Sequence, residues 1–124
     1  MAALFLDANV LVYAVTCRER NAVNLLFHSD YRLVTNEYAI KEARRALNRA
    51  YGYSQEDIEE AIDRIRSRCI VFPSPSAESC RKIMLDDHSD RPIVASAIAA
   101  RATLITYDHK LRLQARKYVE TAVP

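Results

Sequence analysis

One glycine and three scattered cysteines in 124 residues each remove a class of function. A lone glycine cannot build the glycine-rich turn that cradles phosphates in P-loop or dinucleotide-binding proteins, so a nucleotide cofactor is not expected. Cys17, Cys69 and Cys80 are odd in number and fit neither a disulfide framework nor a zinc spacing, and they read as reduced residues of the core type. No apolar run approaches the roughly 18 residues that a membrane span needs. The first residues lack the basic start and small-residue cleavage site of a secretory signal, so a soluble cytoplasmic protein with no membrane partner is expected. G-x-S-x-G is missing, and no cysteine is placed with a histidine as a nucleophile, which sets acyl chemistry aside. His88 stands beside Asp86 and Asp87, but His28 and His109 are far off in sequence, so that loop reads as solvated and not as a metal cluster. Neither sign of charge predominates: a net +2 and a pI near 8.5 permit RNA or DNA without demanding it.

What remains is half apolar, enough for one domain spanning residues 1–124 that buries about two-thirds of its unfolded surface. Ala3 to Leu6 is a short apolar run that stops at Asp7, as a strand covered on both faces does when it delivers its last side chain to the edge of a parallel sheet. Val10–Val15 and Asn21–Phe27 carry helical spacing, interrupted by Arg18-Glu19-Arg20. Tyr31–Thr35 reads as a second strand, with Asn36 capping a helix that runs through Ala50 and is closed by Gly52. Ser54 opens a helix with the stripe Ile58, Ala61, Ile62, Ile65 and Cys69. Ile70–Phe72 is a third strand, a short helix is expected from Ala77 to about Leu85, and the acidic stretch Asp86–Asp90 precedes an apolar helix from Arg91 to Ala100. Ala102 to Asp108 repeats the first pattern, a strand ending at an acid. A helix over Leu111–Arg116 and an edge strand over Tyr118–Ala122 complete the chain. Strands alternating with helices argue for a three-layer α/β domain with a parallel sheet of four or five strands.

The acids carry the candidate chemistry. Asp7 and Asp108 end strands, Glu42 borders the buried face of its helix, and Asp90 starts the most apolar helix. A strand order that reverses beside the first strand would bring Asp7 and Asp108 together. Four converging carboxylates could not all stay ionised without a cation, and oxygen ligands with no Cys or His point to Mg²⁺ or Mn²⁺. Each acid also has a plain structural reading: Asp7, Asp90 and Asp108 as helix caps, Glu42 as the ion-pair partner of Arg45 or Arg49.

Leu4-Phe5-Leu6-Asp7-Ala8-Asn9-Val10-Leu11-Val12, then Thr35-Asn36-Glu37-Tyr38-Ala39-Ile40-Lys41-Glu42-Ala43, then Asp90-Arg91-Pro92-Ile93-Val94-Ala95-Ser96-Ala97 with Leu104-Ile105-Thr106-Tyr107-Asp108-His109-Lys110-Leu111, resemble in order the motifs of the PIN domain. That is the metal-dependent ribonuclease fold of the VapC-type toxins and related RNA-processing nucleases, and the resemblance covers nearly the whole chain. It implies a sheet in the order 3-2-1-4-5, with Asp7, Glu42, Asp90 and Asp108 as the catalytic acids and ligands of Mg²⁺ or Mn²⁺, while Glu37 is not carried over. Asn9 and Thr106 would order carboxylates or water behind them, and Tyr107 stands where many members carry something smaller. The function expected is hydrolysis of single-stranded or structured RNA, with Arg44, Arg45 and Arg49 gripping the backbone. An antitoxin protein and a second copy of the chain are the partners that the resemblance implies. Two rivals are a non-catalytic PIN-like binding module and an aspartyl phosphatase, the latter disfavoured because Asn9 stands where D-x-D chemistry needs a second acid.

Overall fold

The computed structural model describes residues 2–124. Its centre is a parallel sheet of β1 (Ala3–Leu6), β2 (Arg32–Asn36), β3 (Ile70–Phe72), β4 (Ala102–Ile105) and β5 (Thr121–Ala122), in the order β3-β2-β1-β4-β5. The helices are α1 (Ala8–Val15), α2 (Arg20–His28), α3 (Glu37–Arg49), α4 (Gln55–Arg68), α5 (Ala77–Arg81), α6 (Arg91–Ala99) and α7 (His109–Ala115), with a single 3-10 turn at His88–Asp90 before α6. From β1 the chain steps outward twice, to β2 and β3, then returns across the sheet to β4 and steps outward the other way. Right-handed crossovers place helices of opposite steps on opposite faces, which makes the sheet the middle of three layers. β1 is thus the strand at which the order reverses, and ligands bind beyond the carboxyl ends of strands at such a point.

β1 and β4 hold the core. Phe5, Leu6, Leu104 and Ile105 are almost wholly buried, each burial being worth about 1.5–3 kcal/mol. Leu6 lies beside Ile105 in the β1–β4 register, and the Asp7 N–H extends the ladder by donating to the Ile105 carbonyl at 3.0 Å. On α3 the stripe Ala39, Ile40, Ala43 and Leu47 is buried. Gly52 adopts φ +65° after that helix, and the Tyr53 N–H returns to the Leu47 carbonyl at 3.0 Å, the left-handed exit expected of a glycine.

The two spaced stretches between Val10 and Phe27 are separate helices with a turn over Thr16–Glu19, as the charged interruption allows. Three other expectations change. The helix begun at Ala77 ends at Arg81: Ile83 and Leu85 are drawn into the core, and the Met84 N–H donates to the Tyr118 hydroxyl at 2.8 Å instead of to a helical carbonyl. The edge strand shrinks to Thr121–Ala122, because Tyr118 and Val119 fold back with their N–H groups on the Ala115 carbonyl. Cys17 is not a core residue, since it sits exposed at φ 56° just after α1 ends, while Cys69 is buried and Cys80 partly so.

Candidate active site

At the carboxyl ends of β1 and β4 a cleft of about 370 Å³ is lined by Asp7, Glu42, Asp90 and Asp108 together with Asn9. Asp7 follows β1 directly and is buried. Its Oδ1 accepts from the Ala8 N–H at 2.7 Å and its Oδ2 from the Thr106 hydroxyl at 2.7 Å. It therefore caps α1 and faces the cleft at once, because a carboxylate has two oxygens. Asp108 does likewise, with Oδ1 taking the Leu111 N–H at 3.0 Å as the cap of α7.

Thr106 joins these two acids. Besides donating to Asp7, its buried hydroxyl accepts the Asp108 N–H at 3.1 Å and the Asn9 Nδ2 at 3.2 Å, while Asn9 Oδ1 takes the Tyr107 N–H at 3.3 Å. One hydroxyl and one amide thus set the β1 and β4 exits against each other.

Glu42 reaches the cleft from the flank of α3, and no ion pair to Arg45 or Arg49 is formed among the described residues. Asp90 enters from the start of α6 and makes no capping bond with its side chain. Its position is held from outside: Asn36 caps α3 through Ala39 N–H and donates Nδ2 to Pro92 O at 3.1 Å and Ser96 Oγ at 2.8 Å, and the Tyr38 hydroxyl donates to Ser89 O at 2.6 Å. Asn36 was legible as a cap, but its grip on α6 was not, nor were Tyr38 and Ser96.

The cleft is electrostatically uncompensated. Burial, with the Asp7 charge second and opposed in part by Arg45, pushes Glu42 up to about 7. Burial, then Asp7, Asp87, Asp108 and Glu42, push Asp90 from 3.8 to about 7. Desolvation raises Asp7 as well, against the hydrogen bonds from Thr106 and Ala8. Among the described residues no three acids or histidines stand close enough to hold one ion between them.

Arg44, Arg45 and Arg49 lie elsewhere, in a groove of about 490 Å³ between α3 and α4 that Lys41 and Asn48 also line. Arg44 is paired with Glu59 through both terminal nitrogens. Glu37 pairs with Arg66 at 2.7 Å, away from the cleft, and His88 is exposed. The walls of the cleft include Tyr13 and Tyr51. Tyr13 stands one turn after Asn9 on α1, so helical spacing could have found it, whereas Tyr51 carries no local signal.

A family model described as PIN domain matches residues 4–117. The chain belongs to the PIN domain family. No curated protein sequence matches this PIN domain significantly, but solved structures do. VapBC2 from Rickettsia felis, bound to a DNA fragment from its promoter, is similar with a TM-score of 0.76 and 16% identity, over 98% of both chains. VapBC-1 from nontypeable Haemophilus influenzae gives 0.67 and 20%, over 98% of this chain and 97% of that one. FitAcB from Neisseria gonorrhoeae gives 0.65 and 17%, over 95% of each. No helix among the described residues is long and apolar enough to cross a membrane.

Proposed function

We propose that this PIN domain is a metal-dependent endoribonuclease that hydrolyses phosphodiester bonds of single-stranded RNA. The observation that carries the reading is the cleft itself, in which four acids from four parts of the chain face one space and no cationic side chain lines it. Such an arrangement is destabilising unless a cation joins it, and oxygen-only donors favour Mg²⁺ or Mn²⁺. Asp7, Glu42, Asp90 and Asp108 would hold the ion, directly or through its waters. When bound, the ion supplies a nucleophilic water at neutral pH and neutralises charge on the phosphate under attack.

The chain's own groups do the remaining work. Thr106 and Asn9 hold Asp7 and the Asp108 backbone in register, so the negative charge stays aimed at one point. Glu42 and Asp90, raised to about 7 while the cleft holds no cation, would give up their protons as the ion joins them. Arg45 and Arg49 extend from the basic groove toward an RNA backbone, with Arg44 available on release from Glu59. The likeness to VapBC and Fit assemblies supports a toxin paired with an antitoxin protein, and action as a homodimer in the cytoplasm is a further part of the proposal.

Asp7→Asn tests the reading. Asparagine can still accept the Ala8 N–H, so circular dichroism and melting should show a retained fold, while Mn²⁺-dependent cleavage of single-stranded RNA falls to background. Equal cleavage by the variant, or none by the parent protein with either ion, overturns it.

A further inference from the structure

Acids explain a reaction but not attraction. The ion and the arginine groove can hold phosphates, but neither addresses a base, which must meet the remaining walls of the cleft. The remaining walls contain two aromatic rings, Tyr13 and Tyr51, alongside the small or apolar Ala8, Val12 and Ala46. Both rings are partly buried, so each keeps some surface open.

Tyr13 is held by a neighbour that also helps build the acid site, and Tyr51 by residues outside it. Tyr107, whose N–H is bonded to Asn9, lies 5.1 Å from Tyr13, centroid to centroid, with the rings tilted by 48°. Tyr51 sits in the turn that Gly52 closes, with Tyr53 edge-on at 6.5 Å and the Arg18 guanidinium 5.9 Å from its centroid. Arg18 is exposed at the end of the α1 turn. Aromatic surface beside a reactive site, with a cation over one of its rings, is a composition that binds unpaired nucleic acid: once the cation swings off the ring to meet the backbone, a base can stack there whatever its identity.

We infer that Tyr13 and Tyr51 form a stacking platform for one unpaired nucleobase next to the phosphodiester to be cut, with Arg18 positioned for the neighbouring phosphate. The inference rests on the ribonuclease reading and adds the origin of its strand selectivity. In a duplex the faces of each base are covered by the bases above and below, so only an unpaired or extruded base can occupy the platform.

The test uses hexaribonucleotides carrying one 2-aminopurine, titrated in Ca²⁺ to read binding by fluorescence, and the same oligomers with one abasic position, assayed for cleavage in Mn²⁺. Tyr51→Ala and Tyr13→Ala should each weaken binding by about ten- to a hundredfold, the range for loss of one base stack, and raise KM more than they lower kcat. Tyr51→Phe and Tyr13→Phe should restore it, which also separates stacking from a folding defect. The parent protein should discriminate against an abasic residue at one position only, and Tyr51→Ala should lose that discrimination. Unchanged binding and an unchanged abasic profile in both alanine variants overturn the platform while leaving the nuclease reading intact. Fluorescence changes lost on Tyr→Ala in a protein that never cleaves would keep the platform and overturn the nuclease.

Discussion

Removing a catalytic candidate should make the metal-free protein more stable. Asp90 has no hydrogen bond that asparagine would lose, and its carboxyl is raised from 3.8 to about 7 by burial and by the charges of Asp7, Asp87, Asp108 and Glu42. Because the folded state holds the proton more tightly than the unfolded chain, the folded form binds more protons between about pH 4 and 7. Stability contributed by this group therefore falls as pH rises through that window and levels off above it. Taken whole, the rise corresponds to roughly 4 kcal/mol. The side chain is half-exposed, and screening by water reduces the effect to about 1–2 kcal/mol. Asp90→Asn mimics the protonated acid, so in EDTA its advantage over the parent protein should grow with pH, from about half its final size at pH 5.5 to about 1–2 kcal/mol at pH 8, or roughly 4–8 °C in Tm. Urea denaturation at the two pH values measures the difference. Mn²⁺ should reverse the order at pH 8, since a hundredfold excess over Kd adds about 2.7 kcal/mol to a protein that binds it. An Asp90→Asn protein no more stable than the parent at pH 8, or equally stabilised at both pH values, refutes the argument that the cleft carries uncompensated charge.

Other perturbations probe the scaffold around the acids. Thr106→Val keeps the shape but deprives Asp7 Oδ2 and the Asp108 N–H of their partner; a loss of about 1–3 kcal/mol in urea is expected, with slower cleavage. Asn36→Ala removes a cap and two bonds to α6, for a loss of about 2–4 kcal/mol that differential scanning calorimetry would register as a lower Tm. Arg45→Ala and Arg49→Ala should each lower the salt dependence of RNA binding by about one unit of slope. Arg44→Ala should do less because Glu59 already holds that guanidinium, and equal slopes for all three would show that the ion pair does not compete.

β1 and β4 were legible because each is a compact apolar run cut off by an acid, and the length of α3 because Asn36 and Gly52 mark its ends. Elements that depend on partners far off in sequence were not. α5 stops at Arg81 because Ile83, Leu85 and the Tyr118 hydroxyl claim the next turn, and β5 is two residues long because β4 alone defines it. At the site, Asp7 and Asp108 posed a choice between cap and functional acid, and the structure shows both at once: each caps a helix with Oδ1 and also lines the cleft, Asp7 with its Oδ2 held by the Thr106 hydroxyl. Tyr51 could not be read in advance: its place beside Glu42 and Ala46 follows from how α3 lies against α1, which no local pattern states.

The pairing of β1 with β4 also governs when the protein can be active. Ala3 meets Ala102 and Leu6 meets Ile105 in that register, so the central seam closes between segments made at opposite times in synthesis. Contacts of such long separation make folding slow and leave little for the early chain to settle into. A nascent or prematurely terminated product lacking β4 would have neither Thr106 to orient Asp7 nor Asp108 to face it, so the proposed site would be incomplete.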